Sequence, residues 1–209
     1  MLRKDFLMKP VHQSILRFSG TVAAVCFLWA LCAPGANAQA IVLQCDPALT
    51  TAKFTLGDVL HTVHGEFKVK ACEFHFDPSS GKLDGEIVFD ATSGQSGNDS
   101  RDRKMHKAVL ESARYPEIGF RPNHLAGNVV SPGSSSVQVH GMFRIHGSEH
   151  EITVPVDVKL EPERWSASAH FPVPYVDWGM KNPSVLFLRV GDSVDIEFQG
   201  SGGIRTSAP

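Results

Sequence analysis

This chain contains ten histidines, the residue type most suggestive of metal binding in its sequence. Three pairs stand close in the sequence: His61 with His64, His140 with His146, and His146 with His150. Imidazole nitrogens bind zinc or copper when several ligands converge. No H-E-x-x-H or C-x-x-C motif accompanies these pairs, and His140 and His146 fall on the polar face of a predicted strand. Because such motifs are absent, a metal-handling protein that uses surface histidines is only an alternative interpretation.

Patterns typical of catalysis are missing from the sequence. It contains no G-x-S-x-G nucleophile elbow and no glycine-rich phosphate loop. Asp99, Arg101 and Asp102 form a charged cluster, which we interpret as helix capping and surface ion pairing rather than as an acid–base pair. We therefore predict that the protein is not an enzyme and requires no cofactor.

The first 38 residues have the composition of a secretory signal peptide. Four basic residues precede an apolar run over residues 18–31, which at about 14 residues is too short for an ordinary bilayer span. Ala36-Asn37-Ala38 then provides a cleavage signature. We expect cleavage after Ala38 and a periplasmic location, with an uncleaved membrane anchor as the alternative.

Charge argues against nucleic acid as a partner. The formal net charge is -2, and removal of the basic signal peptide makes the mature chain more acidic. No run of Lys and Arg remains to form a typical nucleic-acid-binding patch. The remaining chain of about 170 residues is long enough for one domain with its own core.

Two cysteines, Cys45 and Cys72, remain after cleavage. In an oxidising compartment, such a pair predicts a disulfide. Two buried thiols are the alternative.

Strict alternation of apolar and polar residues dominates the mature sequence. Val137 to Ile145 place apolar side chains at every second position, and Ile152 to Leu160 repeat this after the polar loop 146–150. Because successive side chains of a strand point to opposite faces, each run predicts a strand with one apolar face. Further strands are predicted around Phe54, over 67–76 with a bulge or turn near Cys72, and over 83–91, 165–175 and 194–198.

One segment, Asp99 to Ala113, departs from this period. Its apolar residues, among them Met105 and Val109, recur three or four positions apart, which predicts an amphipathic helix. Asp99 suits the N-cap, and Tyr115-Pro116 should end the helix.

These elements predict an all-β fold: one antiparallel sheet closed into a barrel of about eight strands, with one amphipathic helix. A two-sheet sandwich is the alternative. The barrel is expected to span residues 39–200, followed by a flexible tail over 201–209. An eight-stranded barrel is just wide enough to be filled by side chains or to hold one small ligand.

Small residues on the predicted inner face favour a ligand cavity, since a dry core needs its volume filled. Alternatively, these small residues alternate with large neighbours so that the side chains fill a tapering barrel interior. The small inward residues are Ala71, Gly85, Ala91, Gly141, Ala167 and Ala169.

Several segments resemble the YceI-like family of exported, polyisoprenoid-binding proteins. The most specific is Gly97-Asn98-Asp99-Ser100-Arg101-Asp102 leading to Tyr115-Pro116-Glu117-Ile118-Gly119-Phe120, which is similar to that family's G-N-x-x-R-D…Y-P-x-I-x-F block. Weaker similarities cover Cys45-Asp46-Pro47 with Ala52-Lys53-Phe54, residues 63–67, residues 140–147, and Tyr175-Val176-Asp177-Trp178-Gly179 with residues 190–194. The cysteine pair and the Y-V-D-W-G segment depart from the family pattern.

The resemblance implies a periplasmic, lipocalin-like barrel that holds one long apolar chain, such as an isoprenoid quinone, a polyisoprenoid or a fatty-acyl compound. A membrane redox protein is a further candidate partner, and monomer and homodimer both remain open. A ligand-free interaction module is the other alternative. His64, Arg144, Tyr175 and Trp178 are candidates for orienting a head group at the mouth. The expected ligand-binding residues are Phe54, Leu56, Val63, Phe67, Phe89, Met105, Val109, Phe120, Phe143, Ile145, Trp165, Phe171, Tyr175, Trp178 and Phe187.

Overall fold

Antiparallel strands make up most of the described chain. The computed structural model describes residues 40–57, 62–185 and 189–206. The predicted signal peptide and Phe187 therefore lie outside the described residues. The strands are β1 (Ile41–Cys45), β2 (Thr51–Gly57), β3 (Thr62–Asp77), β4 (Lys82–Gln95), β5 (Glu117–Ala126), β6 (Gly133–Ile145), β7 (Ser148–Leu160), β8 (Arg164–Val173) and β9 (Val194–Thr206).

The sheet closes on itself as a ring of eight strands, β2 to β9. Its order is β3-β2-β9-β8-β7-β6-β5-β4, and pairing of β3 with β4 closes the ring. Strand β1 fills the same gap as β2, between β3 and β9, but at the other end of these two long strands. The expected closed antiparallel sheet with one helix is confirmed, and the two-sheet sandwich is not observed.

The hairpin of β6 and β7 follows the predicted alternation, with the odd-numbered residues from Val137 to Ile145 all buried. Its turn is shorter than the predicted loop 146–150. Ile145 pairs with Ser148, so His146 and Gly147 alone make the turn, with φ of 51° and 76°. Two positive φ values suit the right-handed twist of the flanking strands.

Strand β3 contains the predicted change of parity, but two residues earlier than expected. The pairing with β4 shifts between Val69 and Ala71, and Lys70 and Ala71 are both exposed. β3 then continues as a strand to Asp77, with Cys72 half-buried. The bulge therefore turns Ala71 outward, contrary to the prediction that it faces inward.

The helix, α1, is shorter than its pattern indicates. It spans Asp99–Lys104 and continues as π-helix over Met105–Val109. Asn98, rather than the predicted Asp99, is the N-cap, because its Oδ1 accepts from the backbone N–H groups of Ser100 and Arg101 at 3.1 and 3.0 Å. Among the described residues, no helix is long and apolar enough to span a bilayer.

The C-terminal segment is a strand, so the prediction of a tail from residue 201 is wrong. β9 pairs with β8 as far as Gly203 and with β1 as far as Thr206. Its Gly/Ser composition allows close approach: a Cβ on Gly202 would lie 1.8 Å from the Gln44 carbonyl oxygen. Residues 207–209 lie outside the described part of the chain.

A disulfide joins Cys45 at the end of β1 to Cys72 in β3, as predicted, with 5.4 Å between the two Cα atoms. Since β1 has only five residues, this bond adds a covalent link to its hydrogen bonds with β3 and β9. The bond therefore links the C-terminal end of β1 to the interior of β3.

Candidate ligand-binding cavity

The side chains inside the ring leave a cavity of about 620 Å³. Such a volume lies within the range of about 300–1,000 Å³ found for small-molecule sites. At the end of the ring near β1, the lining residues Leu43, Phe76, Leu160 and Trp165 are all buried. Trp165 donates its indole N–H to the carbonyl oxygen of Gln44 at 3.0 Å, so its polar atom is satisfied. This end is therefore closed and apolar.

Two alanines of β8 keep the middle of the cavity wide. Ala167 and Ala169 line it, as predicted. Gly85 and Gly141 do not line it; a Cβ would lie 2.2 Å from the Glu73 carbonyl oxygen at Gly85 and 2.4 Å from that of Arg121 at Gly141. These glycines therefore allow neighbouring strands to pack closely, and they do not enlarge the space for a ligand. Ala91 is buried but does not line the cavity.

Most of the predicted ligand-binding residues do line this cavity. Their inward direction follows from strand parity, or from their position on the helix covering the other end of the ring. Trp178 does not line the cavity, and Phe187 lies outside the described residues. The predicted residues that line it are Phe54, Leu56, Val63, Phe67, Phe89, Met105, Val109, Phe120, Phe143, Ile145, Trp165, Phe171 and Tyr175.

Trp178 packs behind the cavity wall instead of at its mouth. Its ring stacks on His150 with 4.0 Å between ring centroids and lies 5.7 Å from the ring of Phe143, which does line the cavity. Burial lowers the pKa of His150 from its ordinary value of 6.5. Trp178 thus supports Phe143 from outside the cavity.

Tyr175 lines the cavity, but its hydroxyl already has a structural partner. It donates to the carbonyl oxygen of Gly191 at 2.7 Å, which ties the end of β8 to the segment preceding β9. Burial, with a smaller effect of the Asp192 carboxylate, raises the pKa of Tyr175 to about 12. The phenol therefore remains protonated at physiological pH.

The two other head-group candidates lie on the outer face of the ring. His64 is exposed, with its Nδ1 3.0 Å from the Thr55 hydroxyl. Arg144 forms ion pairs with Glu86 at 3.1 Å and Glu117 at 3.4 Å across neighbouring strands. Neither lines the cavity, because both have the outward parity of their strands.

Polar side chains line one end of the cavity, and the sequence predicts at most capping or ion pairing for them. Arg101 donates from Nε to the Ser96 hydroxyl and from Nη2 to the Ser96 carbonyl, both at 2.7 Å, while Lys104 donates to the carbonyl of Pro183. Since several of these lining residues are solvent-exposed, the cavity opens here. The polar lining residues are Ser96, Asn98, Ser100, Arg101 and Lys104.

At this mouth, the sequence shows only a glycine followed by the start of a short helix. Gly97, with φ of 78°, sets the chain direction before Asn98 caps the helix. Capping explains Asn98 fully, so its second role as a lining residue could not be inferred from the sequence.

The histidines are not arranged as a metal centre in the described structure. The Nδ1 atom of His140 lies 2.8 Å from the Thr153 hydroxyl, and its ring stacks on His124 with 6.1 Å between centroids. Within residues 40–57, 62–185 and 189–206, no three His, Cys, Asp or Glu side chains converge as metal ligands would.

Comparison with known proteins gives matches to one family and to solved structures. The family model described as the YceI-like domain matches residues 43–201. Among curated proteins, none matches this chain significantly.

Three solved structures share the fold at low sequence identity. BcnA of Burkholderia cenocepacia is 19% identical, with a TM-score of 0.63 over 76% of this chain and 99% of its own. A polyisoprenoid binding domain from Saccharophagus degradans is 15% identical, with a TM-score of 0.60 over 81% and 99%. The YCEI protein of Campylobacter jejuni is 14% identical, with a TM-score of 0.55 over 69% and 86%. From the match over residues 43–201, the chain belongs to the YceI-like domain family.

Proposed function

We propose that this protein is an exported carrier that holds one long-chain apolar molecule inside its closed sheet. The observation that carries the proposal is the cavity of about 620 Å³, apolar from its closed end at Trp165 to its polar mouth at Arg101. The proposed ligand class comprises isoprenoid quinones, polyisoprenoids and fatty-acyl compounds. The role is sequestration or transport rather than catalysis.

Transfer of hydrocarbon from water supplies the affinity. Each buried CH2 group contributes about 0.8 kcal/mol, so one isoprene unit contributes several kcal/mol. A cavity that is open at one end suits a chain-shaped ligand, whose tail lies among Phe76, Leu160 and Trp165 while its head group stays near the mouth. Long tails should therefore bind more tightly than short ones with the same head group.

Two further observations support the proposal. The matched domain from Saccharophagus degradans is described as polyisoprenoid binding, which makes a similar ligand class reasonable here. The signal-peptide pattern of residues 1–38 supports export, and hence a carrier role in the periplasm.

The test is to purify the protein without detergent, extract it with organic solvent and identify the extract by mass spectrometry. We expect a long-chain apolar molecule at a fixed ratio to protein. Delipidated protein should melt at a higher temperature when a long-tailed quinone or fatty acid is added, but not when the tail-free head group is added. Repeated extracts without such a molecule, together with an unchanged melting temperature, would contradict the proposal.

A further inference from the structure

Basic side chains surround the mouth of the cavity. Arg101 and Lys104 line it, and Arg103 and Lys107 are exposed on the same helix. Lys181 and Arg189 are exposed on the neighbouring segment, which contributes Pro183 and Val190 to the cavity lining. Contact between Lys104 and the Pro183 carbonyl joins the two segments. We call these six basic residues, together with Val185, the mouth surface.

The two segments that carry the mouth surface have a net charge opposite in sign to that of the whole chain. Residues 98–110 and 181–190 together contain six Lys and Arg against two Asp, a net charge of +4 with His neutral. The whole chain carries -2, so the remaining residues carry -6. Asp102, one of the two acidic residues, accepts hydrogen bonds from Ser96 and points toward its own loop.

These cations are not neutralised by ion pairs. Elsewhere on the molecule, Lys70, Arg121 and Arg144 each pair with a glutamate on a neighbouring strand. Within the described residues, none of the six basic residues of the mouth surface lies within 4.0 Å of a carboxylate oxygen. Their positive charge is therefore available to attract an external anionic partner.

An apolar contact point lies within this basic surface. Val185 lines the cavity and is 54% exposed, which makes it one of the few large apolar side chains with such exposure in the described chain. A surface that combines basic residues with an exposed apolar group matches the boundary between anionic head groups and acyl chains.

We propose that the mouth surface docks on an anionic phospholipid bilayer, with the opening of the cavity facing the lipid. This goes beyond ligand binding, since it names the surface from which an apolar guest enters or leaves. The attraction between basic residues and anionic lipid decays over about one Debye length, and this length shortens as the salt concentration rises. Docking is therefore reversible and salt-dependent. A water-insoluble ligand could then move between bilayer and cavity with little exposure to water.

The experiment measures cosedimentation of the full mature protein with vesicles. At about 50 mM salt, we expect binding to vesicles of phosphatidylcholine with about 30% phosphatidylglycerol, and little binding to pure phosphatidylcholine. Each basic residue near an anionic surface is worth about fivefold in partitioning. The double variant Arg103→Gln/Lys107→Gln should therefore bind about 25-fold more weakly, and neither residue lines the cavity.

The matched control is Arg164→Gln/Arg205→Gln, which removes two exposed cations at the opposite end of the ring. Equal loss of binding in both double variants, or equal binding to neutral vesicles, would overturn the proposal. Binding to polyglutamate with the same sensitivity to Arg103 and Lys107, but not to vesicles, would assign the surface to an acidic protein instead. Because ligand content is measured separately by extraction, failure of docking is distinguishable from failure of the carrier function.

Discussion

At the residue scale, the volume available to a ligand depends on two small side chains of β8. Ala167 and Ala169 face the cavity, whereas their neighbours Ser166 and Ser168 are exposed on the outer face. Parity alone predicted this inward direction. Parity did not predict that Gly85 and Gly141 allow the neighbouring strand to pack closely. That role depends on which backbone atoms lie opposite each glycine.

Filling the cavity at Ala167 should displace the ligand. We expect Ala167→Phe to lower the amount of copurified apolar molecule at least about fivefold, because the new ring occupies ligand space at a cost of about 1–3 kcal/mol in overpacking. Mass spectrometry of the extract measures this, and circular dichroism checks folding. Ser168→Phe, on the outer face of the same strand, is the control and should retain the ligand. A folded Ala167→Phe protein with the same ligand content as the wild type would contradict the placement of Ala167 in the binding cavity.

His150 should make stability depend on pH. Its pKa is lowered in the folded state by burial, so the unfolded chain binds more protons as the pH falls through 6.5. The free energy of unfolding should therefore decrease as the pH falls from about 7 to 5, by at most about 1.4 kcal/mol per pH unit for this one group.

Denaturant titrations of His150→Phe test this pH dependence. Phe can retain the stacking on Trp178, which is 4.0 Å between centroids in the wild type, while removing the titrating group. The slope of stability against pH should become smaller. If the slope of His150→Phe equals that of the wild type, burial of His150 is not the cause.

At the scale of elements, alternation identified the long strands, but two strands were missed for physical reasons. β1 has only five residues and is held by its neighbours and a disulfide rather than by a clear pattern. β5 contains Pro122 at a register shift with β6, and a proline inside a run argues against a strand. β9 extends into a Gly/Ser segment, because β1 provides a pairing partner that local composition does not reveal.

The disulfide between β1 and β3 should contribute strongly to the stability of the fold. Cys45 and Cys72 are 27 residues apart, and closing a loop of this size is worth about 3–4 kcal/mol on the chain-entropy account. Urea unfolding of Cys45→Ser/Cys72→Ser should show this loss relative to wild type. Reductant should destabilise the wild type but not the double variant. Two alkylatable thiols in denatured, unreduced wild type would contradict the bond.

At the scale of the whole molecule, the cavity and the charged mouth arise only when the ring closes. The apolar lining could be predicted because strand parity assigns each residue to a face. The mouth could not, since Arg101 and Lys104 are ordinary polar helix residues until the segment around Pro183 is brought beside them. Long-range pairing of β2 with β9 completes the ring and creates this arrangement.

The most direct measurement of the central claim is the electron density inside a crystal of the mature protein grown with a long-tailed isoprenoid quinone. We predict continuous density for one extended chain from near Trp165 to the mouth at Arg101, with its head group beside Lys104. An interior occupied by the protein's own Phe67, Phe89 and Phe171 side chains, with no room for a guest, would contradict the account.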